Sequence, residues 1–321
     1  MTRKAITLAA LGLLGPVAPL SARQHEAPPP VDTAGAFRVY TGVGVPAALD
    51  DVLAAAAQVE VVFLGESHND RVGHLLQHLI FSRLLAKSEA DSGAAPVILS
   101  LEMFERDVQY ILDEYLADLI SRDQFTRNTR PWTYYDEDYA PNVEAARSAG
   151  RPVVAANAPR RYVNMVSRNG PESLAALSPE AKRYIAPLPY AGPSSAYRAE
   201  LEAIMGGHGD AGTRDPAASE NGYFAQSLWD ATMAYSIAAA LLREPAAKVV
   251  HMVGSFHVKN GTGTPEQLER YRPGTRTLIV YVEPVEEVGS FPGELNGAGD
   301  FVILTDEKQV RSTQTTGSTG G

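Results

Sequence analysis

The 321-residue chain contains no cysteine. That absence excludes disulfides, thiolate-bound zinc, iron–sulfur clusters, a cysteine nucleophile and a lipid-modified N-terminal cysteine. Positive charge is also scarce: 28 Lys and Arg stand against 38 Asp and Glu, a formal charge of −10. So acidic a chain offers no basic patch for counterion release, which argues against nucleic acid and anionic lipid as partners. Beyond the N-terminal segment no apolar run approaches the roughly 20 residues that span a bilayer. Several chemical signatures are missing as well. No Walker loop, dinucleotide-type glycine fingerprint, G-x-S-x-G elbow or H-E-x-x-H helix occurs. Nucleotide binding and serine hydrolysis are therefore poorly supported.

What is present begins with an address. Arg3 and Lys4, the apolar run Ala5 to Leu14 and the small-residue site Leu20-Ser21-Ala22 read as a secretory signal peptide over residues 1–22. Its removal takes away two positive charges and moves the formal charge from −10 to −12. Residues 23–35, with Pro28-Pro29-Pro30, read as an extended linker, and residues 312–321 as a low-complexity tail. The expected product is an exported protein, periplasmic or secreted, that does not span a membrane.

The folded part alternates two patterns. Val59 to Leu64, Val97 to Leu101, Pro152 to Ala156, Val249 to Val253, Thr277 to Val282 and Phe301 to Leu304 are short apolar runs rich in β-branched residues. Between them lie stretches of helical periodicity, including Val72 to Lys87, Val108 to Leu119 and Asp136 to Ala149. This alternation predicts an α/β fold, a mostly parallel sheet flanked by helices. The last two strands lack a clear helix between them and are expected to pair antiparallel at the edge. Residues 161–220 are rich in proline and glycine with no strand pattern, and read as a smaller helical insert, or lid, over the strand ends. The α/β core then comprises residues 36–160 and 221–311, closed by a helix from Asn221 to Arg243.

Four consecutive strands end on polar residues: Gly65-Glu66-Ser67-His68, then Glu102, then Asn157, then Gly254-Ser255-Phe256-His257. In an open parallel sheet those ends share one rim, where ligands bind. Glu66, His68, Glu102 and His257 are thus candidate catalytic residues. Two imidazoles and one carboxylate, Glu102 or Glu66, suit a three-ligand divalent metal site with open water positions. Without a metal, a His–Glu pair serves as base and orienter for attack by water. A third reading has these groups merely capping the helices that follow. The glycine three residues before each histidine is expected to relieve crowding in a tight turn leaving the strand. His74 and His78 share a helix face beside the rim, and His74 is the nearer candidate ligand-binding residue. Gln226, Asp230 and Met233 form one stripe of an otherwise apolar helix, which suggests a polar face aimed at a cavity. Tyrosine is abundant, 14 residues, with clusters at 134, 135 and 139 and at 184, 190 and 197. A tyrosinate in an apolar slot is one way to ligate haem iron, although most tyrosines simply pack. With no CxxCH, covalent haem attachment is excluded.

Taken in order, these pieces resemble the ChaN family of haem-binding uptake proteins, grouped with the Tiki metalloproteases and more distantly with the erythromycin esterases. The resemblance rests on Leu64-Gly65-Glu66-Ser67-His68 with His74 and Gln77, and on Leu101-Glu102-Met103-Phe104 with Gln109. Tyr139-Ala140-Pro141, Ala156-Asn157-Ala158-Pro159-Arg160, Ala225-Gln226 with Asp230, and Gly254-Ser255-Phe256-His257-Val258 with Gly263-Thr264-Pro265 follow. It implies an exported protein for haem or iron acquisition, with haem captured in one reading between the subunits of a homodimer. The Tiki relation implies a metal at His68, Glu102 and His257, hence the alternative of a metal-dependent hydrolase acting on an ester or peptide bond. Family members are often lipoproteins, and a chain without cysteine implies the unanchored form.

Overall fold

The inner strands form where apolar residues are buried on both faces of the chain, and the short strands at one edge, Phe37–Thr41 and Pro46–Ala47, are half-exposed. β1 (Phe37–Thr41), β2 (Pro46–Ala47), β3 (Val61–Glu66), β4 (Val97–Glu105), β5 (Val153–Asn157), β6 (Lys248–Gly254), β7 (Thr277–Val285) and β8 (Phe301–Asp306) are the strands. Among the described residues they build one eight-stranded sheet in the order β2-β1-β8-β7-β3-β6-β4-β5. This computed structural model describes residues 35–91, 93–206, 216–309 and 311–312, all within the compact unit Val31–Gly321. The expected signal peptide, nearly all of the linker and the tail after Ser312 lie outside the described residues.

β3 runs parallel between β6 and β7, and β4 runs parallel between β6 and β5. Because side chains alternate along a strand, each strand feeds two cores. Val62, Leu64, Leu99 and Leu101 pack with Val72, Leu76 and Ile80 of the Arg71–Ala90 helix. Val61, Phe63 and Ile98 face the other way, onto Met233, Ile237 and Leu241 of the Pro216–Arg243 helix. Each fully buried aliphatic or aromatic side chain of this kind is worth about 1.5–3 kcal/mol. Met233 belongs to that core and not to a cavity-facing stripe.

The antiparallel edge is not where the sequence pattern placed it. β8 runs parallel to β7, from Val280 opposite Phe301 to Val285 opposite Asp306. Residues 286–300, with a single 3₁₀ turn at Gly293–Leu295, carry the chain back to the starting end without a helix. The antiparallel partner of β8 is β1, a strand the pattern missed. At five residues, with only Val39 and Tyr40 buried, β1 is too short and too half-exposed to stand out.

The segment between β5 and the long helix contains the helices Arg160–Asn169, Pro179–Lys182 and Ser195–Gly206, with no strand among its described residues. Val163, Val166, Leu174 and Ile185 pack it against Ala225, Leu228 and Ala231 of the Pro216–Arg243 helix. Among the described residues no helix is long and apolar enough to cross a membrane.

Candidate functional site

The parallel strands deliver their C-terminal ends to one cleft of about 660 Å³. Glu66, His68, Glu102, Asn157, Gln226 and His257 all line it. His74 and Asp230 do not reach the cleft surface. They are buried behind it, 3% and 0% exposed, in contact with Glu66 and His257 respectively.

The two glycine-to-histidine motifs meet where β3 and β6 pair, Glu66 opposite Gly254. Their glycines are needed for room and not for a turn. Gly254 has φ −53 and ψ 131, open to any residue. A Cβ there would lie 3.0 Å from His68 Cε1, and one on Gly65 would lie 2.8 Å from Ser255 Oγ. The glycines relieve crowding, as expected, but Gly254 does so without a turn that only glycine adopts.

Each histidine is held by a carboxylate, and each carboxylate by a tyrosine. His68 Nδ1–H donates to Glu66 Oε1 at 2.9 Å, and the Tyr139 hydroxyl donates to the same oxygen at 2.6 Å. His257 Nδ1–H donates to Asp230 Oδ1 at 2.8 Å, while Tyr197 donates to Asp230 Oδ2 at 2.6 Å and Thr264 to Oδ1 at 2.9 Å. Glu102 accepts the Gly254 N–H on Oε2 at 2.7 Å, and its Oε1 lies 3.7 Å from His257 Nε2.

Charge follows from these contacts. Burial would lower the His257 pKa, but the carboxylates of Asp230 and Glu102 outweigh it and raise it to about 9. His257 is therefore an imidazolium at neutral pH. His68 is shifted upward in the same way: Glu66 and Glu102 overcome its burial. Glu66 is fully buried, which alone would raise its pKa. His74, His68 and the Tyr139 hydroxyl bring it below the usual value, so it is an anion. Burial and then the adjacent carboxylates hold Tyr139 and Tyr197 well above the usual phenol range.

Two expectations change here. Tyr139 and Tyr197 are protonated donors committed to carboxylates, so as arranged neither offers a tyrosinate to iron. Nor does the three-ligand metal set assemble. Among the described residues no group of three His, Asp or Glu side chains is placed to hold an ion. Glu102 is turned onto the Gly254 backbone through Oε2, while its Oε1 stays 3.7 Å from His257 Nε2. His78 Nδ1–H instead donates to Asn142 Oδ1, 3.0 Å away.

Sequence reasoning missed the walls of the cleft. Trp132 stands edge-on to the His68 ring, centroids 4.9 Å apart. Trp229 stands edge-on to His257 at 6.4 Å, and Phe256 lies against His257 at 5.3 Å. The Arg160 guanidinium lies 5.8 Å from the Trp229 ring and is the cleft's non-histidine cation. Trp229 directly precedes Asp230, and Arg160 opens the helix after the Asn157 strand end; those positions were the available signals.

The sequence profile of a family described as haem-binding uptake, Tiki superfamily, ChaN matches residues 52–268. Among solved structures, the chain is similar to ChaN of Campylobacter jejuni, whose structure is described as cofacial heme binding. The two are 16% identical with a TM-score of 0.65, over 88% of this chain and 100% of that one. The type III effector HopBA1 is 14% identical with a TM-score of 0.44, over 80% and 93% of the two chains. A mutant erythromycin esterase in its open conformation is 12% identical with a TM-score of 0.43, over 84% and 83%. At these identities the likenesses are of fold. No curated protein matches the chain by sequence.

Proposed function

The chain belongs to the haem-binding uptake family of ChaN, in the Tiki superfamily, and on that premise we propose that it binds haem in the strand-end cleft. The observation that carries this reading is the make-up of the cleft. Its volume of about 660 Å³ lies within the range of small-ligand sites. Trp132, Trp229 and Phe256 supply flat apolar walls for a planar ring. Arg160 supplies a cation for carboxylates such as propionates. The His68 side chain is 48% exposed, and with Nδ1 committed to Glu66 its Nε2 is left for a ligand; Tyr134 also lines the cleft. If haem were bound, the His68 imidazole or the Tyr134 hydroxyl would be the side chains to hold it, and it would supply an iron that takes nitrogen or oxygen ligands. Export through residues 1–22 and a role in iron uptake, with a homodimer sharing haem, belong to the same reading.

Hemin titration tests it. The purified protein should give a shifted Soret band that saturates near one haem per chain or per pair of chains, and Arg160→Ala should weaken binding. Absence of a saturable Soret shift removes this reading.

A second reading rests on a different observation, the two carboxylate-oriented histidines at one cleft with Glu102 beside them. That arrangement suits hydrolysis of an ester or peptide bond without a metal. His68, once it has given its extra proton to solvent, would take a proton from water as it attacks the carbonyl. The His257 imidazolium would supply a proton to the departing group, and the protons then re-equilibrate with solvent. Ester turnover that is lost in both His68→Ala and His257→Ala and survives chelation would support it; turnover unchanged in either variant would sink it.

A further inference from the structure

Glu105, at the end of β4, is bonded from both sides of the cleft. Its Oε2 accepts from Arg130 Nη2 at 2.8 Å, and its Oε1 accepts the Arg160 backbone N–H at 2.9 Å. Arg130 leads directly into Pro131 and Trp132, one wall of the cleft. Arg160 opens the helix on the other wall and lies over Trp229. Asp107 repeats the bracket, accepting from Arg130 Nη2 at 2.6 Å and from Arg161 Nη1 at 2.5 Å. Arg130 does this from a left-handed backbone, φ 52 and ψ 51, at the end of the Arg122–Thr129 helix. That conformation is costly for an arginine. It ends the helix and turns the chain toward Trp132 while the side chain doubles back to β4.

We propose that Arg130, clamped by Glu105 and Asp107, is a positioning residue that sets the width of the cleft and so selects the planar ligand that enters. It touches no ligand; it acts through the placement of Trp132 against the Arg160–Trp229 wall. The identity of the ligand rests on the haem reading above, but the coupling of the clamp to the walls does not. The clamp is also partly open to water, with the Arg130 side chain 53% exposed and Glu105 27% exposed. Salt therefore weakens it, and the cleft is a salt-responsive aperture.

The chain has two tryptophans, 132 and 229, and both line this cleft, so selectively excited tryptophan fluorescence reports on it. In ligand-free protein, Arg130→Gln should raise acrylamide quenching of the tryptophans clearly above wild type. Raising sodium chloride from about 50 mM to about 500 mM should move wild type the same way and leave Arg130→Gln nearly unmoved, since the screened interaction is already gone. Arg130→Lys, which keeps the charge, should fall between them. Glu105→Gln, which loosens both walls, should repeat the effect if Arg130→Gln fails to fold. Hemin binding should weaken about two- to thirtyfold in Arg130→Gln, the span of two partly exposed ion pairs. Equal quenching in wild type and both neutral variants at both salt levels overturns the proposal. So does altered quenching with unchanged hemin affinity, which removes the selection of ligand. If quenching responds as expected and wild type binds no hemin, the clamp stands and the haem reading falls.

Discussion

His257, just past the end of β6, meets Asp230 at 2.8 Å in the interior, and Asp230 is the one charged side chain in residues 221–242 of the long helix. A lone buried carboxylate would be costly, and every contact of Asp230 answers that cost: His257, Tyr197 and Thr264 all donate to it. The pair is thus a piece of the fold's stability as well as of the site.

Stability should fall with alkaline pH for this reason. The His257 pKa is about 9 in the folded chain against the usual 6.5. A group raised on folding stabilises fully below its unfolded pKa and loses that contribution as pH climbs through the folded one. The window is therefore pH 6.5 to about 9, and the amount is on the order of 3 kcal/mol. Urea unfolding across this window should show a falling midpoint in wild type. In Asp230→Asn the midpoint should be lower at pH 6 and fall less steeply with pH, the remaining slope coming from Glu102 beside His257 and from the raised His68 and His74; an unchanged slope would break the link.

Crowding between the two glycine-to-histidine motifs gives a second test. In Gly254→Ala the new methyl would lie 3.0 Å from His68 Cε1 and 3.6 Å from Glu102 Oε2. His68 must give way, and with it the edge-on contact to Trp132. Overpacking of this kind costs about 1–3 kcal/mol. The expected result is a lower melting temperature together with altered tryptophan emission. Normal emission in Gly254→Ala would mean that the motif glycine has no steric role.

How much of this was legible beforehand follows from range. Glu66, His68, Glu102, Asn157 and His257 were readable because each sits at or just past the end of a continuous apolar run. A parallel sheet brings such ends together whatever the loops do. Tyr139 and Tyr197 were not readable as partners of Glu66 and Asp230. They reach across 73 and 33 residues, and nothing local marks a tyrosine as an orienting donor. The direction of β8 was hidden for a related reason, because a crossover without a helix looks like a hairpin in sequence. The metal expectation came from donor types and from the Tiki relation, and the Gly254 N–H that engages Glu102 is invisible in composition.

The third test concerns the far side of Glu66. His74 Nδ1 lies 3.5 Å from Glu66 Oε2, and its Nε2 lies 3.7 Å from Asp138 Oδ2. Ser312 closes this cluster from the C-terminal end of the chain: its hydroxyl donates to Asp138 Oδ2 at 2.7 Å and its N–H to the Asn69 carbonyl at 3.0 Å. Burial raises the Asp138 pKa, while His74, this hydroxyl and Arg71 pull against it. Removing the donor leaves a buried carboxylate short of a partner, at a cost of about 1–3 kcal/mol. Ser312→Ala should lower the urea midpoint by that amount, and a chain ending at Gln309 should lose at least as much, since Arg311 Nη1 also lies 3.9 Å from Asp70. In both variants His74 should exchange its ring protons with solvent faster than in wild type, measured by NMR. Unchanged stability and exchange in the shortened chain would show that residues 311–312 only rest on the cluster, and that His74 and Glu66 hold their positions without them.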